Sequence, residues 1–299
     1  MSANHAVPAR RTAQASFDPP MLLRNPHVQT LFANKPFRSP AGPEVHDGTY
    51  ELPDGDVVRL VRSKGAAIGS ARVIVLHGLA GGYDSAYARD LFSTFDRVGL
   101  EGHLLHFRGC GGVLNRLPRG YHAGDTADLQ HYVQHLRAEA PDRGVMAVGF
   151  SLGANVLLKY LGETGSASGL DGAVAVSVPF LLADACESIS RGFSLLYHKV
   201  LLHRLKVLIR SKFEASEAFA AAAPFSREEV EALRDLRAFD DLVTAPMHGF
   251  GNAERYYAHA SCRQYLRGIC TPTRVLHARD DPFQSAEGIP GPDELSEAI

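Results

Sequence analysis

Cysteine is scarce in this sequence. Four residues, Cys110, Cys186, Cys262 and Cys270, are scattered over 299 positions, with no Cys-x-x-Cys pair and no Cys/His cluster at metal-ligand spacing. No disulfide framework or metal site is expected to organise the chain, and free thiols in a reducing compartment are. An excess of either charge is also lacking. With 31 basic against 33 acidic side chains the formal net charge is -2, too little for a broad field that would attract phosphate backbones, so no nucleic-acid partner is expected. Long apolar runs are missing too. Residues 1–20 carry Arg10 and Arg11 but no stretch that would make a signal peptide, an export signal or a membrane span, and they read as a disordered tail on a cytoplasmic protein. The run Phe193–Ile209 is broken by His198, Lys199, His203, Arg204 and Lys206, which excludes an integral span. It reads as an amphipathic helix packed on its own domain, with peripheral contact to lipid or a fatty chain as the alternative. There is no internal repeat, and low complexity is confined to Ala220–Ala223.

What is present is the composition of a globule, 45% hydrophobic and 21% charged, long enough to bury a sizeable core as one domain over 21–299. From Arg72 onward, short apolar runs alternate with helix-compatible stretches, the pattern of a parallel sheet with crossover helices. Strands are expected at 72–76, 102–107, 144–150, 173–177 and 273–277. Helices are expected at 84–98, at 125–138, where Leu129, Tyr132, Val133 and Leu136 recur at helical spacing, and at 152–161. Between the last two strands lie about ninety residues, 179–270, too many for a plain crossover and read as a helical insertion over the sheet's C-terminal edge.

Ser151 lies in Gly149-Phe150-Ser151-Leu152-Gly153, between an apolar strand and a helix-compatible run, the context of a nucleophile elbow. The sharp turn crowds the positions two before and two after the serine, and glycine occupies both. This motif makes the fold class α/β-hydrolase, a mostly parallel sheet with crossover helices and a helical cap insertion. Acyl transfer also needs donors aimed at the oxygen that becomes negative. The Leu152 N–H, opening the helix, is one candidate. The other is the Leu79 N–H in His77-Gly78-Leu79-Ala80-Gly81-Gly82, directly after the first core strand. His77 is read as ordering that loop rather than as the base. An acid belongs after a later strand, where Asp280 and Asp281 compete; Asp281, just before Pro282 and Phe283, fits the register better. The general base of this fold belongs on a loop after one further strand. All fourteen histidines stand at or before His277, and residues 284–299 are polar and end in a helix-like segment, 293–299.

Taken together these residues resemble the YheT-like family of α/β-hydrolases, relatives of the eukaryotic α/β-hydrolase-domain lipid hydrolases. The likeness runs from about Arg24 to the C-terminus. It rests on Asn25 to Thr30, His77-Gly78-Leu79 with Asp84-Ser85, Phe107 to Gly112 with Asn115-Arg116, and Tyr121 to Asp128. It continues through Gly149 to Asn155, Phe239 to Asp241, Thr244 to Phe250, and Asp280 to Phe283. Ala154 departs from the glycine usual in that family. The resemblance implies a serine hydrolase of carboxylic esters, on acylglycerols or other small acyl esters, without metal or organic cofactor, in which Ser151 is nucleophile and Asp281 the acid. The family's histidine lies in a His-Gly-Gly-His-like segment beyond a further strand, and the 299 residues contain no counterpart. A non-catalytic or impaired protein that keeps only an acyl-binding pocket is therefore the alternative expectation.

Overall fold

The computed structural model describes residues 19–33, 42–64, 67 and 69–299, so the tail expected at 1–20 lies outside the described residues except for Pro19 and Pro20. Seven strands form one sheet: β1 (Val45–Glu51), β2 (Val57–Ser63), β3 (Arg72–Leu76), β4 (Glu101–Leu105), β5 (Val145–Phe150), β6 (Gly172–Val176) and β7 (Thr273–Leu276). Their order is β1-β2-β4-β3-β5-β6-β7, with β4, β3, β5, β6 and β7 parallel and β2 antiparallel to both of its neighbours, β1 and β4. The five parallel strands are those expected, to within two residues at each end. The hairpin was not foreseen. β1 is mostly exposed and carries no apolar alternation, and the readable cue was the Asp54-Gly55 turn, where Gly55 takes φ +80°.

Helices cover both faces. α1 (Pro26–Ala33) precedes the sheet, and α2 (Ala86–Val98), α3 (Ala127–Glu139) and α4 (Leu152–Thr164) follow β3, β4 and β5. Alternation along β3 divides the core: Val73 and Val75 pack with Phe92 and Phe95 of α2, whereas Ile74 and Leu76 pack with Leu129, Leu136 and Leu157 on the other side. Arg72, fully buried at the start of β3, donates to the Leu136 and Ala140 carbonyls and to Glu139, satisfying the C-terminal end of α3.

Between β6 and β7 the chain is helical, as expected for 179–270. The elements are α5 (Leu182–Ile189), α6 (Leu195–Ala215), α7 (Glu217–Ala222), α8 (Arg227–Ala232), α9 (Leu236–Phe239), α10 (Ala245–Met247) and α11 (Ala253–Ala260). They bury an apolar cluster of their own, including Leu202, Ile209, Phe219, Phe225 and Phe239. Among the described residues no helix is long and apolar enough to cross a membrane. After β7 there is no further strand among the described residues, so β7 is an edge of the sheet. The helix expected over 293–299 does not form. Only a 3-10 turn, Pro292–Glu294, is present, and the Ala298 carbonyl is drawn instead to the Thr273 N–H of β7 at 2.7 Å, with Leu295, Ala298 and Ile299 packed on the core.

Candidate active site

Ser151 ends β5 and caps α4 with φ 51° and ψ -117°, a backbone conformation that L-residues with a side chain rarely adopt. Its amide donates to the Val176 carbonyl of β6 at 2.9 Å, and the residue is exposed. The flanking glycines are there for space. A Cβ at Gly149 would stand 2.5 Å from the Gly153 carbonyl oxygen, and one at Gly153 would stand 2.5 Å from that of Leu76. Strand, turn and helix are therefore in backbone contact, which no side chain would allow.

The turn after β3 lies against this serine: a Cβ at Gly78 would be 3.4 Å from the Ser151 Cβ and 3.9 Å from its Oγ. Three buried or part-buried rings hold the turn. His77 Nε2 accepts from the Phe107 N–H at 3.1 Å, so Nδ1 carries the proton and donates to the Gly78 carbonyl at 2.7 Å. Burial pushes this imidazole down to about 4, and it is neutral near pH 7. The Tyr87 hydroxyl accepts from the Gly78 N–H at 3.2 Å, the Tyr121 hydroxyl accepts from the Ala80 N–H at 2.9 Å, and the Gly81 N–H reaches the Gly78 carbonyl at 3.0 Å. The Leu79 N–H takes no acceptor among the described residues, and neither does that of Gly82 at the far end of the turn. Leu152 opens α4, so its N–H has no intrahelical acceptor either. Tyr87 and Tyr121 were missed in the sequence, because their partners lie 9 and 41 residues away.

Asp281 follows β7, at the same end of the parallel strands as Ser151. Its side chain is 9% exposed and accepts from the Phe283 N–H at 2.9 Å, whereas Asp280 is exposed. Burial raises the Asp281 carboxyl, partly offset by that amide. Four residues earlier, His277 places Nε2 3.9 Å from Asp281 Oδ2, too long for a hydrogen bond, and neither ring nitrogen has a partner. Burial lowers the His277 imidazole. Sequence reasoning used His277 only as the end of a strand. The i, i+4 spacing to Asp281 was the available signal.

The other core histidines are committed elsewhere. His103 bridges Tyr132 and Glu101 at 2.6 and 2.9 Å. His106 donates to the Arg59 carbonyl and accepts from the Tyr83 N–H. His122 accepts from the Gly124 N–H and packs edge-on against His248, with centroids 4.5 Å apart. The insertion closes on the same end of the sheet: Leu79 packs in its apolar cluster, the Ser194 hydroxyl donates to the Pro282 carbonyl at 2.7 Å, and Phe283 lies 5.0 Å from the Tyr197 ring. A further residue, quoted in the sequence only as the end of the Gly149 to Asn155 motif and given no role there, is Asn155. Fully buried on α4, it donates to the Ala123 and Ala260 carbonyls and accepts from the Cys262 N–H, so the helix behind Ser151 is tied to two other segments.

Comparison with known proteins agrees with this architecture. A family profile described as the alpha/beta hydrolase fold matches residues 71–297. YheT of Escherichia coli (strain K12), which carries an esterase name, is 36% identical over 286 residues, covering 95% of this chain and 83% of its own. The monoacylglycerol lipase of Saccharomyces cerevisiae is 34% identical over 214 residues, 71% of this chain and 48% of the lipase. Mouse phospholipase ABHD3 is 28% identical over 219 residues, 73% of this chain and 52% of its own, so the chain spans about half the length of these last two relatives. Among solved structures, the Pyrococcus furiosus esterase PF2001 superposes with a TM-score of 0.52 at 16% identity, over 82% of this chain and 74% of that one.

Proposed function

Because the chain belongs to the α/β-hydrolase family, we propose that it is a serine-dependent hydrolase of carboxylic esters, of acyl-ester or acylglycerol type. The observation that carries the reading is the strained Ser151, held on a strand-to-helix turn next to an amide left free. Ser151 Oγ attacks the ester carbonyl, and the Leu79 and Leu152 N–H groups receive the developing oxyanion. The alcohol leaves, and water releases the acid from the acyl-enzyme. Asp281 is the carboxylate that orients a histidine base. The reaction calls for no metal or organic cofactor. The free cysteines support a cytoplasmic location, and the outer side of α6 supports peripheral contact with lipid.

A second reading, a protein that binds acyl groups but turns over poorly, is favoured by the histidines: His77, His103, His106 and His122 have hydrogen-bond partners other than Ser151, and His277 stands too far from Asp281 to bond it. The test compares the 299-residue protein with a form extended by a family-like strand and His-Gly-Gly-His segment, on a short-chain p-nitrophenyl ester and a serine-directed fluorophosphonate. Ser151→Ala is expected to abolish labelling and turnover in both forms, and the extension to raise turnover by about a thousandfold. Labelling that survives Ser151→Ala overturns the nucleophile. Equal turnover by the two forms discards the second reading, and His277→Gln would then identify the base.

A further inference from the structure

Exposed large apolar side chains are concentrated on one part of the surface. Ten are exposed among the described residues, and eight of these stand on two helices and the short turns that precede them. Met21, Val28 and Leu31 belong to the N-terminal turn and α1; the other five, Phe193 and Leu196 among them, belong to α6 and the turn before it. The two elements touch. The His27 ring lies 4.7 Å from that of Phe193, and the Tyr197 hydroxyl donates to the His27 carbonyl at 3.3 Å. Exposed apolar side chains gathered on two elements in contact mark an interaction surface rather than ordinary solvent-facing structure.

Helix α6 has two apolar sides. Leu202, Leu205 and Ile209 are buried inward. At about 100° per residue, Leu196, Val200 and Val207 fall within about 40° of one another on the opposite side. Lys199 and Arg204, both exposed, flank that stripe, one on either side. From Leu195 to Phe213 the helix contains no acidic residue, and α1 carries no charge at all. The overall charge of -2 therefore conceals a local face that is apolar at its centre and cationic at its rim.

We propose that this face of α1 and α6 docks on an anionic lipid surface, from which the acyl ester is drawn. The inference rests on the hydrolase reading for its purpose but not for its chemistry. Apolar side chains enter the headgroup and acyl boundary while lysine and arginine meet lipid phosphates. A second copy of the chain fits less well, because a twofold contact through this stripe would set the cations of α6 against those of its partner. The face also adjoins the candidate site. Ser194 and Tyr197 contact Pro282 and Phe283, in the loop that carries Asp281, so docking brings that loop to the lipid.

The test is co-sedimentation of the full chain with phosphatidylcholine vesicles and with vesicles containing phosphatidylglycerol. The protein is expected to partition onto the anionic vesicles and to be released by salt. Leu196→Ser with Val200→Ser should lower the partition by about tenfold or more, since two exposed apolar anchors are lost. Lys199→Glu with Arg204→Glu should remove the preference for phosphatidylglycerol. All four side chains are exposed, and unchanged melting temperatures would show that each variant is folded. Wild-type protein that stays in the supernatant, or an apolar double variant that sediments like wild type, overturns the proposal. So does a dimer that the apolar variant dissociates while neither protein binds vesicles. Ser151→Ala should bind vesicles as wild type does, so failure of docking and failure of the hydrolase reading give different results.

Discussion

The amide of Leu79 is free because its neighbours are occupied. Tyr87 takes the Gly78 N–H and Tyr121 takes that of Ala80, a non-glycine residue at φ 49° that needs an external partner to stay there. Tyr121→Phe removes one acceptor oxygen and keeps the ring stacked 5.1 Å from Phe107. We expect kcat, or the labelling rate of Ser151, to fall by about tenfold or more with KM little changed, because the oxyanion interaction is made only in the transition state. A lower melting temperature with full kcat would instead give Tyr121 a packing role. The acid allows a similar ranking. Asp281→Asn should cost at least about a hundredfold in turnover and Asp280→Asn very little, since Asp281 faces inward and Asp280 faces solvent. Reversal of that order in steady-state kinetics would move the acid by one residue. The tight turn at Ser151 and the two glycines that permit it were legible in the sequence because the turn chemistry is local. Tyr121 and Asn155 were not, since their roles exist only once distant segments are folded together.

At the scale of elements, the parallel strands were readable because a strand covered on both faces must be apolar almost throughout, as β3 is. The β1–β2 hairpin offered only its Asp54-Gly55 turn as a cue, because what fixes it beyond that turn is a buried ionic contact. Asp56 in its turn is fully buried and accepts from Arg108, Asn115 and the Arg116 N–H. Lys212 of α6 donates to the Asn115 side chain at 2.7 Å, so the insertion is tied to the same network. Asn155 makes the corresponding tie behind the nucleophile. Asn155→Leu would leave the Ala123 and Ala260 carbonyls and the Cys262 amide unpaired, at about 1–3 kcal/mol for each buried group that finds no water. A loss of at least about 2 kcal/mol is expected in urea unfolding, seen as a lower midpoint at constant slope. A midpoint within error of wild type would mean that water replaces the side chain and that the tie is dispensable.

For the whole molecule, the buried and half-buried histidines set how stability responds to acid. Burial pushes His77 down to about 4 and His106, His122 and His248 to about 3, all from an ordinary value of 6.5. For a group whose pKa is depressed on folding, the unfolded chain takes up the proton first. Its stabilisation is complete above about pH 6.5 and is lost as pH falls toward the folded value, at up to about 1.4 kcal/mol per pH unit for each histidine. Asp240 works in the opposite direction, because burial raises its carboxyl to about 6, so that below this pH the folded state holds the proton more tightly than the unfolded chain does. The lowered imidazoles, joined by His103, His198 and His277, outnumber the raised carboxyls of Asp240, Asp128 and Asp281, and that decides the sign. Chemical unfolding followed from pH 8 to pH 4 should show a plateau above neutrality and a steady loss below about pH 6.5. His248→Phe removes one titrating ring from the His122 contact without introducing a charge, and should make that loss shallower. Stability that rose between pH 6.5 and 5 would mean that the carboxyl outweighs the imidazoles, and that the histidines reach solvent far more readily than their burial indicates.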